Sequence, residues 1–244
     1  MPTNTLQEWF ATPLGQYLLE KEQAYLDDAT SDVFGFHALQ IGMPGVDLLR
    51  ESRIAHRMRV AATERPDLYA KSHELPLATQ SVDLVVLPHV LEFAAGPHEI
   101  LREVDRVMMP EGRLIIVGFN PWSLWGLRSS LGLGRDEHPW SGRFVSLLRV
   151  KDWLALLGFD VNAGRLVGYA PPFKSEKVRR RFGFMEPAGD RWWAVGGAVY
   201  MLQAIKRVRG MRLLTPAWLE QKESREKALA AAKRQSVSHL KVVK

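Results

Sequence analysis

Between Leu75 and Asn120 the alternation of apolar and polar residues changes period twice. Val82-Asp83-Leu84-Val85-Val86-Leu87 is a short apolar run rich in β-branched residues, the pattern of a strand buried on both faces. From Pro97 to Met109, the residues Ile100, Leu101, Val104, Val107 and Met108 recur at helical spacing, with Pro97 in the first turn. Pro110-Glu111-Gly112 breaks that helix, and Leu114-Ile115-Ile116-Val117 predicts a second buried strand. The links are short, so the spacing predicts a right-handed βαβ unit with parallel strands. Ligands of such sheets gather at the carboxyl ends of the strands, which singles out Pro88-His89 and Gly118-Phe119-Asn120.

Upstream, Leu6, Trp9, Phe10, Leu14, Tyr17, Leu18, Tyr25 and Leu26 keep helical spacing. Thr12-Pro13 supplies a cap and a first-turn proline, so one short and one longer helix are expected over an edge of the sheet. Phe36–Ile41 predicts a first strand that ends in a tight turn, Gly42-Met43-Pro44-Gly45. Val46–Ser52 reads as a short helix, His56–Thr63 as a second strand and Leu68–Ala70 as a third. Only Glu64–Asp67 separate the last two, too few residues for a parallel crossover. Either those strands form a hairpin or the second is out of place.

Downstream, Trp122, Leu124, Trp125 and Leu127 form a bulky apolar cluster, followed by a Gly- and Pro-containing loop at 129–142 of a length often tied to function. Val150–Leu157 predicts a helix stopped by Gly158; strand patterns follow at 159–161, 165–169 and 194–205, the last pairing as a hairpin with its predecessor. Between them, 171–190 is polar and carries Lys174, Lys177, Arg179, Arg180 and Arg181. Trp218–Lys233 is rich in Ala, Glu and Lys with a thin apolar face, a loosely attached helix. The expected organisation is a helical segment at 1–35, an α/β domain at 36–206 and a basic tail at 207–244.

The 244 residues suffice for a full core, and 46% of them are hydrophobic. There is no cysteine, which excludes disulfides, cysteine zinc sites and a thiol nucleophile. A reducing, cytoplasmic setting is expected, since Glu8 comes early and no basic segment precedes an apolar core. The longest apolar run, Trp192–Leu202, is too short and glycine-rich for a membrane span. The net charge of +6 is uneven: residues 206–244 hold eleven Lys/Arg against three Glu, a net of +8, and the rest sums to −2. Such a tail suits contact with nucleic acid, anionic lipid or an acidic partner, or simply solvation.

The residues Glu74-Leu75-Pro76, Ser81-Val82-Asp83, His89-Val90-Leu91-Glu92, Leu101-Arg102-Glu103 and Arg106–Leu114 together resemble the class I S-adenosylmethionine-dependent methyltransferases, type 11 group. Gly158-Phe159 and Gly197–Met201 extend the likeness, and Gly118–Arg128 with Thr12–Gly15 is similar to a bacterial subgroup. The resemblance implies a Rossmann-like, seven-stranded sheet with helices on both faces and a reversed hairpin at one edge. It also implies S-adenosylmethionine as cofactor and a small molecule as methyl acceptor.

The family's cofactor loop reads acidic-x-Gly-x-Gly-x-Gly, where this chain has Gln40-Ile41-Gly42-Met43-Pro44-Gly45-Val46. Gln40 keeps a hydrogen-bonding side chain without the charge, Gly42 matches a family glycine, and Pro44 and Val46 replace the other two. Gly45 can form a turn of different shape. Glu64 is the candidate for the ribose-binding acid. Lys71 stands at the position of the adenine-binding Asp, which passes that role to the Ser72 hydroxyl. The implied cofactor residues are therefore Gln40, Gly42, Met43, Gly45, Glu64, Ser72 and His89. Loss of two or three anchors worth roughly 1 kcal/mol each would weaken binding on the order of a hundredfold.

His89 and Asn120 are the candidate catalytic residues, His89 as a general base near neutral pH or as a strand-end cap, Asn120 as a holder of a polar substrate group. Glu92 fits a solvated helix start, Trp122 a stacking surface, and Trp125 core packing. Asp136, Glu137 and His138 are consecutive and do not make a metal site, so no metal is expected. Two readings follow: a methyltransferase acting on a small planar or apolar molecule, and a non-catalytic relative that binds a nucleic acid or protein partner through the same fold and the basic tail.

Overall fold

A computed structural model describes residues 5–134, 137–173, 177, 181–183, 185–193 and 195–207. The expected helix at Trp218–Lys233, and Asp136, Lys174, Arg179 and Arg180, lie outside them. The central unit forms as its spacing predicts. Strand β4 (Val82–Pro88) leads to helix α3 (Pro97–Val107) and strand β5 (Met108–Phe119), and the two strands pair in parallel from Leu84 opposite Arg113 to Pro88 opposite Val117. Helix α3 buries Ile100, Leu101, Val104 and Val107. Met108, expected in the helix, starts the strand instead.

Strand β1 (His37–Ile41) lies between β4 and β2 (His56–Ala61), parallel to both. The helix expected at Val46–Ser52 is replaced by turns. The reason is local: the Leu48 amide donates to the Gln40 side chain and the Leu49 amide to Asp47, while Leu48, Leu49 and Ile54 are buried. Strand β3 (Leu68–Tyr69) pairs with β2 in parallel, so the hairpin is corrected. A two-residue strand needs no full crossover. The chain turns at Glu64 and Arg65, both at positive φ, and Asp67 closes the loop by accepting from the Arg59 amide and guanidinium.

The remaining elements are helices α1 (Leu6–Phe10), α2 (Pro13–Ser31), α4 (Leu124–Ser130), α5 (Leu147–Leu156) and α6 (Met185–Trp192), and strands β6 (Phe159–Val167) and β7 (Val199–Lys206). The seven strands run in the order β3-β2-β1-β4-β5-β7-β6, with β7 antiparallel to both neighbours. Side chains alternate between the faces. Leu84, Val86, Ile115 and Val117 pack with Phe10, Leu14, Leu18 and Leu26 of α1 and α2, whereas Val85, Leu87, Leu114 and Ile116 pack with α3 and α5. The first two helices thus cover a face of the sheet, not an edge. Phe10, Leu18 and Leu26 are fully buried, each worth roughly 1.5–3 kcal/mol. Met1–Val208 forms one compact unit, and no helix among the described residues is long and apolar enough to cross a membrane.

Candidate functional site

Because β1 and β4 are adjacent and parallel, their carboxyl ends bring Gly42 beside Pro88–Val90. A cleft of about 550 Å³ opens there, within the range of small-molecule sites. Gly42 has φ +89°, and a Cβ on it would stand 2.8 Å from the Val90 side chain, so the turn requires glycine. Its amide donates to the Val60 carbonyl at 2.8 Å, which ties the turn to β2. Gly42, Met43, Glu64, Ser72 and His89 all line this cleft, joined by Leu6 and Gln7 of α1, by His73, by Phe93 and by His138 of the long loop. Glu64 sits three residues past β2. Partial desolvation, and then repulsion from Glu8, push its carboxyl above the usual range.

Three expected site residues have other work. Gln40 is wholly buried. Its amide nitrogen donates to the carbonyls of Gly42 (3.1 Å), Met43 (2.9 Å) and Val46 (2.9 Å), and its oxygen accepts from the Leu48 amide at 3.0 Å. It clamps the loop from behind and does not line the cleft. Arg59 adds a bond to the Pro44 carbonyl at 2.9 Å. Gly45 is covered by the Gln7 amide, which a Cβ there would overlap. Asn120 is buried as well: its amide donates to the carbonyls of Val195 and Gly197, and its oxygen accepts from the Trp122 amide. With its hydrogen-bonding capacity spent on backbone, Asn120 fixes the entry to β7 and holds no substrate group.

His89 is at the strand end, but its side chain is sealed. Nε2 lies 3.0 Å from Glu22 of α2 and Nδ1 3.5 Å from Glu92, and the ring packs between Phe10 and Phe119. Burial alone would lower the imidazole's pKa. The charge and hydrogen bond of Glu22, then the nearby Glu92 carboxylate, outweigh it and raise the pKa to about 9. His89 is therefore an imidazolium at neutral pH, which corrects the expectation of a general base there. Glu92, expected in solvent, is buried and accepts from the Phe119 amide. Tyr200 lies beside it, its phenol pushed up by burial and then by the Glu92 charge. His89 at φ 52° shapes the cleft mainly through its backbone turn.

Residues 43–116 match the family model described as a methyltransferase domain. That segment, which holds the turn after β1, strands β2 to β4, helix α3 and most of β5, is thus similar to the type 11 methyltransferases. The chain is also similar to the Escherichia coli (strain K12) protein YafS, 36% identical over 155 residues, which are 63% of this chain and 65% of YafS. The match thus spans just under two-thirds of that relative. Among solved structures, a Haloferax volcanii methyltransferase-fold protein in complex with the Trm112 methyltransferase activator covers 85% of this chain and 100% of its own (TM-score 0.59, 15% identity). A SAM-dependent methyltransferase from Archaeoglobus fulgidus covers 77% and 94% (TM-score 0.55, 20% identity). These likenesses show the shared fold.

The residues that line the cleft fit S-adenosylmethionine, the cofactor that the resemblance implies. Gly42 leaves a cradle that a Cβ would fill, and Gln7 Oε1 is a buried acceptor with no hydrogen-bond partner. Gln7 and His73 carried no signal of their own. Phe93 stood four residues past His89, and His138 stood in the loop already marked by its length.

Proposed function

We propose that the protein is a cytoplasmic S-adenosylmethionine-dependent methyltransferase that acts on a small apolar or planar molecule. The reading rests on one juxtaposition: the glycine turn after β1 faces Glu64 and Ser72 across a cleft in a domain similar to the type 11 methyltransferases. When bound, the cofactor supplies a methyl group on a sulfonium that already carries its leaving group. The chain then has to align the acceptor and exclude water. Gly42 and Met43 would hold the cofactor through the backbone, Glu64 the ribose and Ser72 the adenine. Leu6, Val90, Phe93 and Ala94 give the cleft an apolar wall, which suits an apolar acceptor. Phe93 meets the His138 ring at 4.9 Å and narrows the mouth. His89 acts as a positioning residue: its buried imidazolium holds the turn that carries Val90.

Calorimetry with S-adenosylmethionine and S-adenosylhomocysteine tests this directly. Binding in the micromolar range is expected, and no heat at millimolar ligand would overturn the reading. A weak contact between nucleic acid and residues 206–244 belongs to the same proposal, on the net charge of +8. It predicts RNA binding that weakens with salt and disappears when those residues are removed.

A further inference from the structure

The clamping role of Gln40 leaves position 40 unable to meet the cofactor's ammonium. We infer that Gln7, on α1, takes over that part of the site, with its side-chain carbonyl accepting from the ammonium of the methionine end. This rests on the proposed cofactor. Four observations converge. Gln7 lines the cleft. Its Oε1 is buried without a hydrogen-bond partner, a state that costs energy until a donor arrives. Its amide lies on Gly45, so the altered glycine of the loop serves as a seat for a side chain from another element. Finally, the surroundings favour a cation. Gln7 and Glu64 also line an adjoining pocket with Thr5, Glu8, Ala11 and Arg65, where the two glutamates repel each other and outnumber the one arginine. The ribose and adenine have their own partners in Glu64 and Ser72, which leaves the ammonium as the donor for Gln7.

The test compares three ligands on the full chain by calorimetry: S-adenosylmethionine, S-adenosylhomocysteine and methylthioadenosine, which keeps the nucleoside and lacks the amino-acid end. Gln7→Ala should weaken the first two about tenfold to a hundredfold and leave methylthioadenosine unchanged. Gln7→Glu, which restores a carboxylate, should bind the first two at least as tightly as the unaltered chain, an outcome that a merely structural role does not give. Gly45→Ala, which pushes the amide from its seat, should mimic Gln7→Ala. Equal binding of S-adenosylhomocysteine by Gln7→Ala and the unaltered chain overturns the inference and leaves the methyltransferase reading standing. A parallel loss of methylthioadenosine also overturns it, by moving Gln7 to the ribose. If the unaltered chain binds none of the three, both fall.

Discussion

At position 40 a carboxylate should harm this protein. Gln40→Glu replaces the amide nitrogen that serves the Gly42, Met43 and Val46 carbonyls with an oxygen that repels them. Leaving buried carbonyls without donors costs about 1–3 kcal/mol each where no water reaches them, so a loss of roughly 3 kcal/mol is expected in urea unfolding. Stability equal to that of the unaltered chain would show that the clamp is dispensable. His89 gives a pH signature. Its folded-state pKa is raised to about 9 from 6.5, so its contribution is complete below about pH 6.5 and is lost as pH rises towards 9. At about 1.4 kcal/mol per unit the loss is about 3 kcal/mol across that window. The lowered carboxylates Asp67 and Glu103 act in acid, and the raised phenols of Tyr25 and Tyr200 above pH 10, so neither obscures it. Stability measured from pH 6 to 9.5 should fall in the unaltered chain and stay nearly flat in His89→Gln.

Among the elements, the elbow between α1 and α2 governs the site without touching a ligand. Thr12 caps α2 by accepting from the Gly15 amide. Gly15 itself lies so close to the end of α1 that a Cβ would overlap the Trp9 carbonyl and the Phe10 Cα. Trp9 then locks α1 into the core through edge contacts with Phe119, Trp125 and Trp140. Gly15→Ala must therefore part the two helices and lift Gln7 from the cleft. It should cost more than the roughly 1 kcal/mol of Thr12→Ala and weaken S-adenosylhomocysteine binding, whereas Thr12→Ala should leave binding intact. Here the limit of the sequence is plain. Apolar period revealed β4, α3, β5 and both early helices, since burial of a face dictates period. It could not reveal that the 42–55 link forgoes a helix, because Val46, Leu48 and Leu49 are buried either way. Nor could it separate Gln40 and Asn120 from ligand-binding residues. Both are polar groups at strand ends, and what occupies them is backbone carbonyls brought close only by folding. Gly42, Glu64 and Ser72 could be singled out because they follow predicted strands or stand beside a motif position, and all three line the cleft.

For the whole molecule, the sheet has two apolar faces and needs a cover on each. Helices α3 and α5 cover one face, but the other depends on residues 5–31. Trp9, Phe10, Leu14, Leu18 and Leu26 meet Ala38, Leu84, Val86, Ile115 and Val117 there. Glu22 supplies the carboxylate against His89, and Asp27 pairs with Arg50 to hold the helix-free link. The helical segment thus shares the core, closes the cleft and completes the buried charge cluster. A chain begun at Phe36 should consequently lose its cooperative unfolding transition and expose apolar surface that binds a hydrophobic dye. Shortening from the other end should act differently. Met1–Val208 is a compact unit by itself, so a chain ended at Val208 should keep its melting temperature within a few degrees and its affinity for S-adenosylhomocysteine. Both variants can be followed by calorimetric melting. A stable, cooperative domain from Phe36 onward would mean that the sheet tolerates an uncovered face, and it would remove the reason for placing Gln7 and Glu22 in the site.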